Sequence, residues 1–223
     1  MKVIVFGATG MVGKGVLLEC LDSAGVEDVL VVGRNTCGVS HPKLKEKLHT
    51  DLSEYASIED DLKGYDACFF CLGVSSAGLG EEAYTAITCG FTLAAAGTLV
   101  RLNPLMTFCF VSGLGTDSSE KGRVMWARVK GKTENALQRL GFKAVYLLRP
   151  GYIQPMRGVT SRTAAYRAFY WVLSPLYPAL NKLFPDHLTT TEKVGRAMIR
   201  AASHGYSQSI LSNQDINRLA MLG

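Results

Sequence analysis

The sequence predicts an α/β fold with a doubly wound parallel sheet, and three observations support this prediction. Short apolar runs alternate with helical patterns from residue 2 to about residue 149. A turn with three glycines follows the first apolar run and leads into a helical pattern. The chain has 223 residues, of which 48% are hydrophobic and 19% charged, which suits one globular domain that buries a sizeable core.

The elements follow in order along the chain. Apolar runs predict strands at about 2–6, 28–33, 44–49, 66–72, 105–112 and 143–149, and the segments between them predict helices at about 11–24, 53–61, 81–100 and 122–140. After Pro150 the pattern changes to a loop over 150–158 and an aromatic helical region over 160–184. A helix over 191–204, an apolar run at 209–211 and a last helix from about 213 follow. We expect one domain over 1–223, in which residues 150–223 include a small helical cap on the substrate side.

The spacing Thr189-x-x-Glu192 matches that of a capping box and predicts where the helix over 191–204 begins. Thr190 is followed three residues later by Lys193, which is not a capping-box pair.

The first turn predicts a phosphate-binding site of the Rossmann type. Gly7 allows a tight turn, Gly10 lets backbone approach a diphosphate, and Gly13 lets the helix pack closely on the strand. Unpaired N–H groups at the helix N-terminus favour the negative charge of the diphosphate. The alternative is a structural turn with no ligand. The predicted cofactor residues of this turn are Gly7, Ala8, Thr9, Gly10, Met11, Val12 and Gly13.

The ends of later strands add further cofactor candidates. Arg34 follows the second strand, where an Asp or Glu would accept a hydrogen bond from the ribose 2′-hydroxyl of NAD. An arginine can instead bind the 2′-phosphate of NADP, so this residue favours NADP over NAD. A surface arginine would leave that preference undecided. Asp51 and Leu52 either bracket an adenine ring or, equally well, Asp51 caps a helix. Leu72 and Gly73 follow the fourth strand, where a glycine lets backbone approach a ligand.

The carboxyl edge of the fifth and sixth strands carries the candidates for chemistry. Ser112 ends the fifth strand, and Trp126 and Lys130 lie four residues apart on the next helix, hence on one face. Pro150, Gly151 and Tyr152 follow the sixth strand. Each residue also has a structural reading: Ser112 as a strand-end hydroxyl, Lys130 as a solvated helix lysine, Trp126 as a packed aromatic and Gly151 as a turn glycine.

These motifs resemble the atypical short-chain dehydrogenase/reductase family. Within it, the chain is most similar to the small Tat-interacting-protein-like NAD(P)-binding oxidoreductases, which share the Gly-Ala-Thr-Gly opening of residues 7–10. The resemblance covers essentially the whole chain. It implies an NADP-dependent reductase fold whose working residues map onto Ser112, position 126 and Lys130, with the glycine turn and Arg34 on the cofactor.

One departure from the family pattern bears on catalysis. The family has a tyrosine four residues before the lysine as general acid, whereas this chain has Trp126. An indole N–H donates a hydrogen bond but does not release a proton near neutral pH. None of the nine tyrosines has a lysine four residues later, so a shift of register does not restore the motif. Any proton would come from water or another donor, with Tyr152 as a candidate.

Three functions are consistent with these residues. The leading hypothesis is a reductase that transfers hydride from NADPH to an unidentified small carbonyl compound, with Ser112 on the carbonyl oxygen and Lys130 on the ribose. The second is an NADP(H)-sensing regulator without turnover, which Trp126 favours. The third is a membrane-peripheral enzyme that acts on a lipid-like substrate. In the last two, aromatic residues of 165–184 would form the protein or membrane contact, whereas core and cap packing is the structural alternative.

Composition argues against several other classes. The net charge of +5 comes from scattered basic residues without an aromatic-interleaved stripe, so nucleic-acid binding is not expected. The six cysteines lie mostly in apolar runs, and neither Cys68-x-x-Cys71 nor the four histidines complete a metal-ligand set. Residues 1–6 read as a core strand, so no signal peptide and a cytoplasmic location are expected. The stretch 164–184 is too interrupted by charge and proline to span a membrane.

Overall fold

The computed structural model describes residues 1–160, 177–183 and 186–222. Nine strands lie in this part of the chain: β1 (Lys2–Phe6), β2 (Asp28–Gly33), β3 (Leu44–Leu48), β4 (Ala67–Phe70), β5 (Thr107–Val111), β6 (Ala144–Leu148), β7 (Tyr152–Gln154), β8 (Leu188–Thr190) and β9 (Ile210–Leu211). Seven of them form one parallel sheet in the order β3-β2-β1-β4-β5-β6-β9, and β7 pairs with β8 in a small second sheet. The predicted doubly wound parallel sheet is confirmed.

The α-helices of the described residues are α1 (Met11–Asp22), α2 (Glu81–Thr85), α3 (Phe91–Leu102), α4 (Met125–Gln138), α5 (Tyr177–Leu183), α6 (Thr191–His204) and α7 (Asn213–Met221). A turn of π-helix over Ala86–Gly90 joins α2 to α3, so the predicted helix over 81–100 is one continuous stretch with a bulge. The predicted helix over 53–61 is instead a 3-10 helix over Ala56–Leu62.

The core lies on both faces of the sheet. One face buries Val3, Val5 and Phe69 against α1, α6 and α7, and the other buries Ile4 and Phe70 against the 3-10 helix and α3. Alternate residues of each strand point to opposite faces, which explains why a parallel sheet covered on both sides has nearly continuous apolar strands. This arrangement leaves the two ends of the strands as the places where polar side chains can gather.

Helices α1 and α6 pack closely because glycine occurs at their contact. A Cβ atom at Gly15 would lie 2.4 Å from the Cβ atom of Thr191, so no larger residue fits there. Helix α6 begins one residue later than the capping prediction requires. Thr189 pairs with Ile153 as a strand residue, and the Thr190 side chain accepts the hydrogen bond from the backbone of Lys193. The Thr189–Glu192 capping box is therefore wrong, since the strand continues through Thr190.

The stretch Glu81–Leu102 is long and apolar enough to cross a membrane by length and mean hydropathy, which is 1.4. Its buried residues include Ala95, Ala96 and Leu99, which pack in the core against the sheet. Core packing accounts for such an apolar helix equally well. The predicted aromatic region over 160–184 lies outside the described residues, apart from Thr160 and α5.

Candidate functional site

The glycine turn between β1 and α1 fixes where the two elements meet. Gly7 has φ +78°, a conformation that L side chains rarely adopt, and a Cβ there would lie 2.6 Å from the backbone nitrogen of Leu72. A Cβ at Gly13 would lie 2.2 Å from the carbonyl oxygen of Gly7. Both positions therefore require glycine, for the reasons that the motif predicted. The turn is closed by a hydrogen bond of 2.9 Å from the Gly10 amide to the Gly7 carbonyl.

The N-terminus of α1 is suited to an anion. Its N-cap is Gly10, which offers no side chain to occupy the first N–H groups, and no acidic residue lies in the first turn. Gly73, after β4, has open space where a Cβ would stand. Strands β1 and β4 are neighbours at the point where the strand order reverses, which is where doubly wound sheets bind ligands. A dinucleotide diphosphate fits this cradle.

A cleft at the ends of β1 and β2 gathers several of the predicted cofactor residues. It is lined by backbone and side chains that include Ala8, Thr9, Arg34, Leu52 and Leu72. Arg34 is exposed and Leu52 is buried, so the cleft has a charged residue at its outer edge and an apolar residue at its base. This combination suits an adenosine whose base is covered and whose ribose lies near the arginine.

Asp51 lies in a turn of its own rather than at a helix start. Its carboxylate accepts hydrogen bonds from the backbone and hydroxyl of Ser53, and these hold its pKa below the ordinary value. The N-cap of the 3-10 helix is Tyr55. The helix-capping alternative for Asp51 is therefore wrong, because Asp51 caps a local turn five residues before that helix begins at Ala56. Its predicted contact with adenine stays a prediction.

Ser112 follows β5 at the carboxyl edge of the sheet and is buried. Its Oγ lies 2.9 Å from Oγ1 of Thr116, and the Thr116 hydroxyl donates to the Gly113 carbonyl at 2.8 Å. Because each hydroxyl has one proton, Ser112 is the donor to Thr116 in this arrangement. The Ser112 oxygen can still accept a hydrogen bond. The Ser112 hydroxyl can also donate to a ligand if that hydrogen bond replaces the one to Thr116.

Lys130 on α4 reaches the same strand end. Its Nζ donates a hydrogen bond of 2.7 Å to the backbone carbonyl of Ser112. Burial lowers the pKa of Lys130 to about 8, while the nearby Glu134 opposes that shift. The solvated reading of Lys130 is therefore wrong, since the ammonium lies against the sheet. A lysine whose pKa is near neutrality beside a strand-end serine is typical of a functional site.

Trp126 lies one helical turn before Lys130 on α4. Its ring packs against the loop after β5, since its Cη2 atom would stand 3.5 Å from a Cβ at Gly115. It also adjoins the small apolar cluster of Tyr84, Cys89 and Val129. The indole therefore has both a packing role and a position close to the Ser112 loop.

The turn after β6 is tied to the Ser112 loop. The Leu114 amide donates to the Pro150 carbonyl at 2.8 Å, which continues the pairing of β5 and β6 past their ends. The Gly151 amide donates to Oδ1 of Asn213 at 3.1 Å. Tyr152 begins β7, and its hydroxyl donates to Oε1 of Gln154 at 2.7 Å. Burial raises the pKa of Tyr152, which makes its phenol a weaker acid.

Three supporting contacts were missed by sequence reasoning. They are the hydroxyl partner Thr116, the clamp from Asn213, and an ion pair between buried Glu134 and Arg149. Arg149 also donates to the Ser118 hydroxyl at 2.5 Å, so it links β6, α4 and the loop after β5. These partners lie between 4 and 62 positions apart along the chain, and no short motif joins them.

Two further predictions concern cysteines and metals. Cys68 is buried on the sheet face that packs against α3, whereas Cys71 packs with the cluster on the opposite face, as their spacing predicts. All six cysteines are free thiols. Within the described ranges, no group of three or more His, Cys, Asp or Glu residues is placed to hold a metal ion.

Comparison with known proteins places the chain among oxidoreductase-like folds. No protein-family model matches the sequence. Protein FMP52-1 of Scheffersomyces stipitis is 28% identical over 155 residues, which cover 69% of this chain and 67% of that protein. Protein HTATIP2 of Rattus norvegicus is 23% identical over 68% of this chain and 62% of its own length. Protein fmp52-2 of Aspergillus oryzae is 24% identical over 96% of this chain and 95% of its own. The match thus spans about two thirds of the first two proteins.

Solved structures agree on the fold. The reductase domain of PhqB from Penicillium fellutanum has a TM-score of 0.69 at 17% identity, covering 96% of this chain and 67% of that one. WbmF from Bordetella bronchiseptica, solved in complex with NAD+, has a TM-score of 0.66 at 16% identity and covers 99% and 76%. A short-chain dehydrogenase/reductase family oxidoreductase from Burkholderia thailandensis has a TM-score of 0.61 at 16% identity and covers 91% and 85%.

The fold defines the class: this protein has the Rossmann-like fold of the short-chain dehydrogenases/reductases. More particularly, its homologues include HTATIP2 and Fmp52 proteins, so within this class it resembles the atypical proteins similar to HTATIP2. The resemblance that the motifs indicated is thereby confirmed.

The comparison corrects one expectation. Six Fmp52 relatives are named as mitochondrial proteins. This finding contradicts the predicted cytoplasmic location. The prediction rested on reading residues 1–6 as a core strand, and a core strand does not identify a compartment.

Proposed function

We propose that the protein binds NADP(H) along the carboxyl edge of its sheet and reduces a small carbonyl compound. The observation that carries this proposal is the contact of the Lys130 ammonium with the Ser112 carbonyl, at 2.7 Å. It brings a cation with a pKa near 8 and a buried hydroxyl to one strand end. Both lie at the same sheet edge as the glycine turn.

Residues at both ends of this edge would hold the cofactor. The turn of Gly7–Gly13 and the N-terminus of α1 would take the diphosphate, with the adenosine in the cleft beside Arg34 and Leu52. Pro150, Gly151 and Tyr152 would border the nicotinamide end. When bound, NADPH supplies a hydride to a carbonyl carbon. The absence of an acid after β2 and the presence of Arg34 there support NADP over NAD.

The chain's own residues would do the remaining work. The Ser112 hydroxyl would exchange its bond to Thr116 for one to the substrate oxygen, on which negative charge develops. Lys130 would hold the ribose hydroxyls and add positive potential at the same place. The hydrogen bond to the Ser112 carbonyl holds the Lys130 ammonium in this position.

We propose Lys130 as the source of the proton as well. Trp126 cannot release one near neutral pH, and the Tyr152 phenol is a weaker acid than a free phenol because burial raises its pKa. The Lys130 ammonium, whose pKa is about 8, is a far stronger acid than either. It is protonated below about pH 8, so the rate of reduction should fall as the pH rises through that value.

A titration followed by a turnover assay tests the proposal. We expect NADPH to bind more tightly than NADH in calorimetry, and NADPH to be oxidised slowly with some members of an aldehyde and ketone panel. A tyrosine in the family's position should act as a general acid, so Trp126→Tyr should raise turnover by about 10²-fold. Lys130→Met should abolish turnover, while Lys132→Met, on the exposed side of the same helix, should not. The proposal would be refuted if neither NADPH nor NADH bound to the protein.

The second candidate function is an NADP(H)-sensing regulator, and the tryptophan at position 126 favours it. Such a protein would bind NADPH tightly and show no turnover, in either the natural or the Trp126→Tyr form. The contact surface predicted over 165–184, with a protein or a membrane, falls on residues that the structure describes only from 177 to 183. Flotation with liposomes would separate these two partners, because only a membrane contact carries the protein with the vesicles.

A further inference from the structure

A cavity of about 460 Å³ lies at the amino ends of the strands, away from the candidate site. It is bounded by the end of α1, by α6 and by the end of α7, and its wall includes Met1 and Gly25, which precede β1 and β2. The glycine turn and Ser112 lie at the carboxyl ends of the same sheet. The length of α1, about 18 Å at a rise of about 1.5 Å per residue, therefore separates the two regions.

One face of α6 forms a wall of this cavity. Each lining residue of the helix lies three or four positions from another, so they share a face: Arg196, Ile199, Arg200, Ser203 and His204. Leu219 and Ala220 of α7 are buried, and with Ile199 they form what we call the apolar base. The cavity thus combines apolar surface with a few charged groups, as binding sites for small molecules do.

Most of the charged side chains in the wall are already paired. The buried Glu19 carboxylate pairs with Arg196 at 2.8 Å and with Arg157 at 3.4 Å. Asp22 pairs with the same Arg157 at 2.7 Å. Arg200 differs, because within the described residues no carboxylate lies within 4.0 Å of its guanidinium. Among the side chains that line the cavity, Arg200 therefore carries a positive charge that no carboxylate of the described chain balances.

Arg200 is also oriented by its neighbours on α6. Its Nη1 donates to Nε2 of His204 at 3.3 Å, so the imidazole is neutral and carries its proton on Nδ1. That Nδ1 donates to Oγ of Ser203 at 2.7 Å, and the Ser203 hydroxyl donates to the Ile199 carbonyl at 2.8 Å. Within the described part of the chain, Nε and Nη2 of Arg200 have no partner. These two nitrogens form the edge of a guanidinium that binds both oxygens of a carboxylate.

We propose that this cavity binds a small amphipathic monocarboxylate, such as a medium-chain aliphatic acid. The carboxylate would bind to Nε and Nη2 of Arg200, and the hydrocarbon chain would lie on the apolar base. A ligand with one negative charge matches the one unbalanced guanidinium, whereas a second negative charge would meet the carboxylates of Glu19 and Asp22. The inference does not depend on the proposed function, because the two sites lie at opposite ends of the sheet.

Calorimetry with four aliphatic probes tests the inference: octanoate, butanoate, octanol and octylammonium. The natural chain is compared with Arg200→Met, Ser203→Trp and Arg218→Met. Ser203 is exposed and lines the cavity, so a tryptophan there fills the space without changing the charge. Arg218 is the matched control, because it is an exposed arginine of α7 that does not line the cavity. Circular dichroism and thermal unfolding check that each variant is folded.

We expect octanoate to bind at least about tenfold more tightly than butanoate, since each fully buried methylene adds about fourfold in affinity. Octanol should bind at least about tenfold more weakly than octanoate, because it has no charge for the guanidinium to bind. Octylammonium should not bind. Arg200→Met should weaken octanoate by about tenfold to a hundredfold, the range of a hydrogen bond to a charged group. Ser203→Trp should abolish octanoate binding, and Arg218→Met should bind like the natural chain.

Failure of octanoate to bind the natural chain at millimolar concentration would overturn the inference. Equal affinities for octanoate and octanol would also overturn it, because Arg200 would then take no part. If Arg200→Met does not fold, Ser203→Trp decides, since undiminished binding in that variant would place the ligand elsewhere. Sedimentation of the natural chain tests for a different occupant. A dimer that Ser203→Trp converts to a monomer would overturn the inference, because a second copy of the chain would then fill the cavity.

Discussion

Replacing Lys130 with methionine should stabilise the unliganded protein at neutral pH. Burial lowers the pKa of Lys130 from 10.5 to about 8, and each pKa unit corresponds to about 1.36 kcal/mol. The charged lysine therefore costs the folded state about 3 kcal/mol. Methionine loses the hydrogen bond to the Ser112 carbonyl, which contributes about 1 kcal/mol. The free energy of unfolding of Lys130→Met should exceed that of the natural protein by about 2 kcal/mol near pH 7.

The pH dependence gives this prediction its sharpest form. Between about pH 8 and pH 10.5 the unfolded chain keeps the lysine proton while the folded chain has lost it. Stability of the natural protein therefore rises with pH in this window, by about 3 kcal/mol from this group. The variant lacks the rise, so its advantage should shrink and reverse by about pH 10.5.

Urea unfolding of both proteins at several values from about pH 7 to about pH 10, in a reducing buffer, measures the difference. Other titrating groups are common to both proteins and cancel in it. Lys132→Met, which removes an exposed lysine from the same helix, controls for the loss of one positive charge. A difference in unfolding free energy that stays constant across this range would refute the reasoning, because Lys130 would then titrate like a solvated lysine.

Three further predictions concern packing and pairing. Gly13→Ala places a Cβ 2.2 Å from a backbone oxygen, so it should lower unfolding free energy by about 3 kcal/mol or more and weaken NADPH binding in calorimetry. Glu134→Gln should lower the unfolding free energy measured in urea by about 3 kcal/mol, because Arg149 loses a buried charged partner. It should also lower the pKa of Lys130 further, so the rate of reduction should fall off at a lower pH. Ser212→Ala removes the capping box of α7 and should lower the unfolding free energy by about 1 kcal/mol, without changing cofactor affinity.

Local patterns in the sequence predicted most elements of the fold. The parallel sheet follows from the alternating strand and helix patterns, because parallel strands need crossover connections. The order of its seven strands was not predicted and comes from the structure. The strands β7 and β8 were not predicted, since each has only three residues and pairs across 36 positions. The 3-10 helix over Ala56–Leu62 was predicted as an ordinary helix, because the same apolar spacing is consistent with either.

The candidate site likewise contains residues that the sequence predicted and contacts that it did not. Gly7, Gly13, Ser112 and Lys130 were found from the sequence because a turn, a strand end or a helical spacing fixes each of them locally. Thr116 was not predicted, since nothing in a loop sequence shows that its hydroxyl will form a hydrogen bond with that of Ser112. The lowered pKa of Lys130 was equally hidden, because burial depends on which elements cover the side chain.

By itself the sequence determined the doubly wound sheet, the glycine turn, the strand-end serine and the replacement of the family's tyrosine by Trp126. These are set by backbone geometry and spacing over a few residues. Only the tertiary structure decided that Lys130 lies against Ser112, that Arg149 neutralises Glu134, and that Arg200 lines a cavity between α1 and α6. Each of these depends on how distant segments exclude water and bring charges together, and no local pattern encodes that.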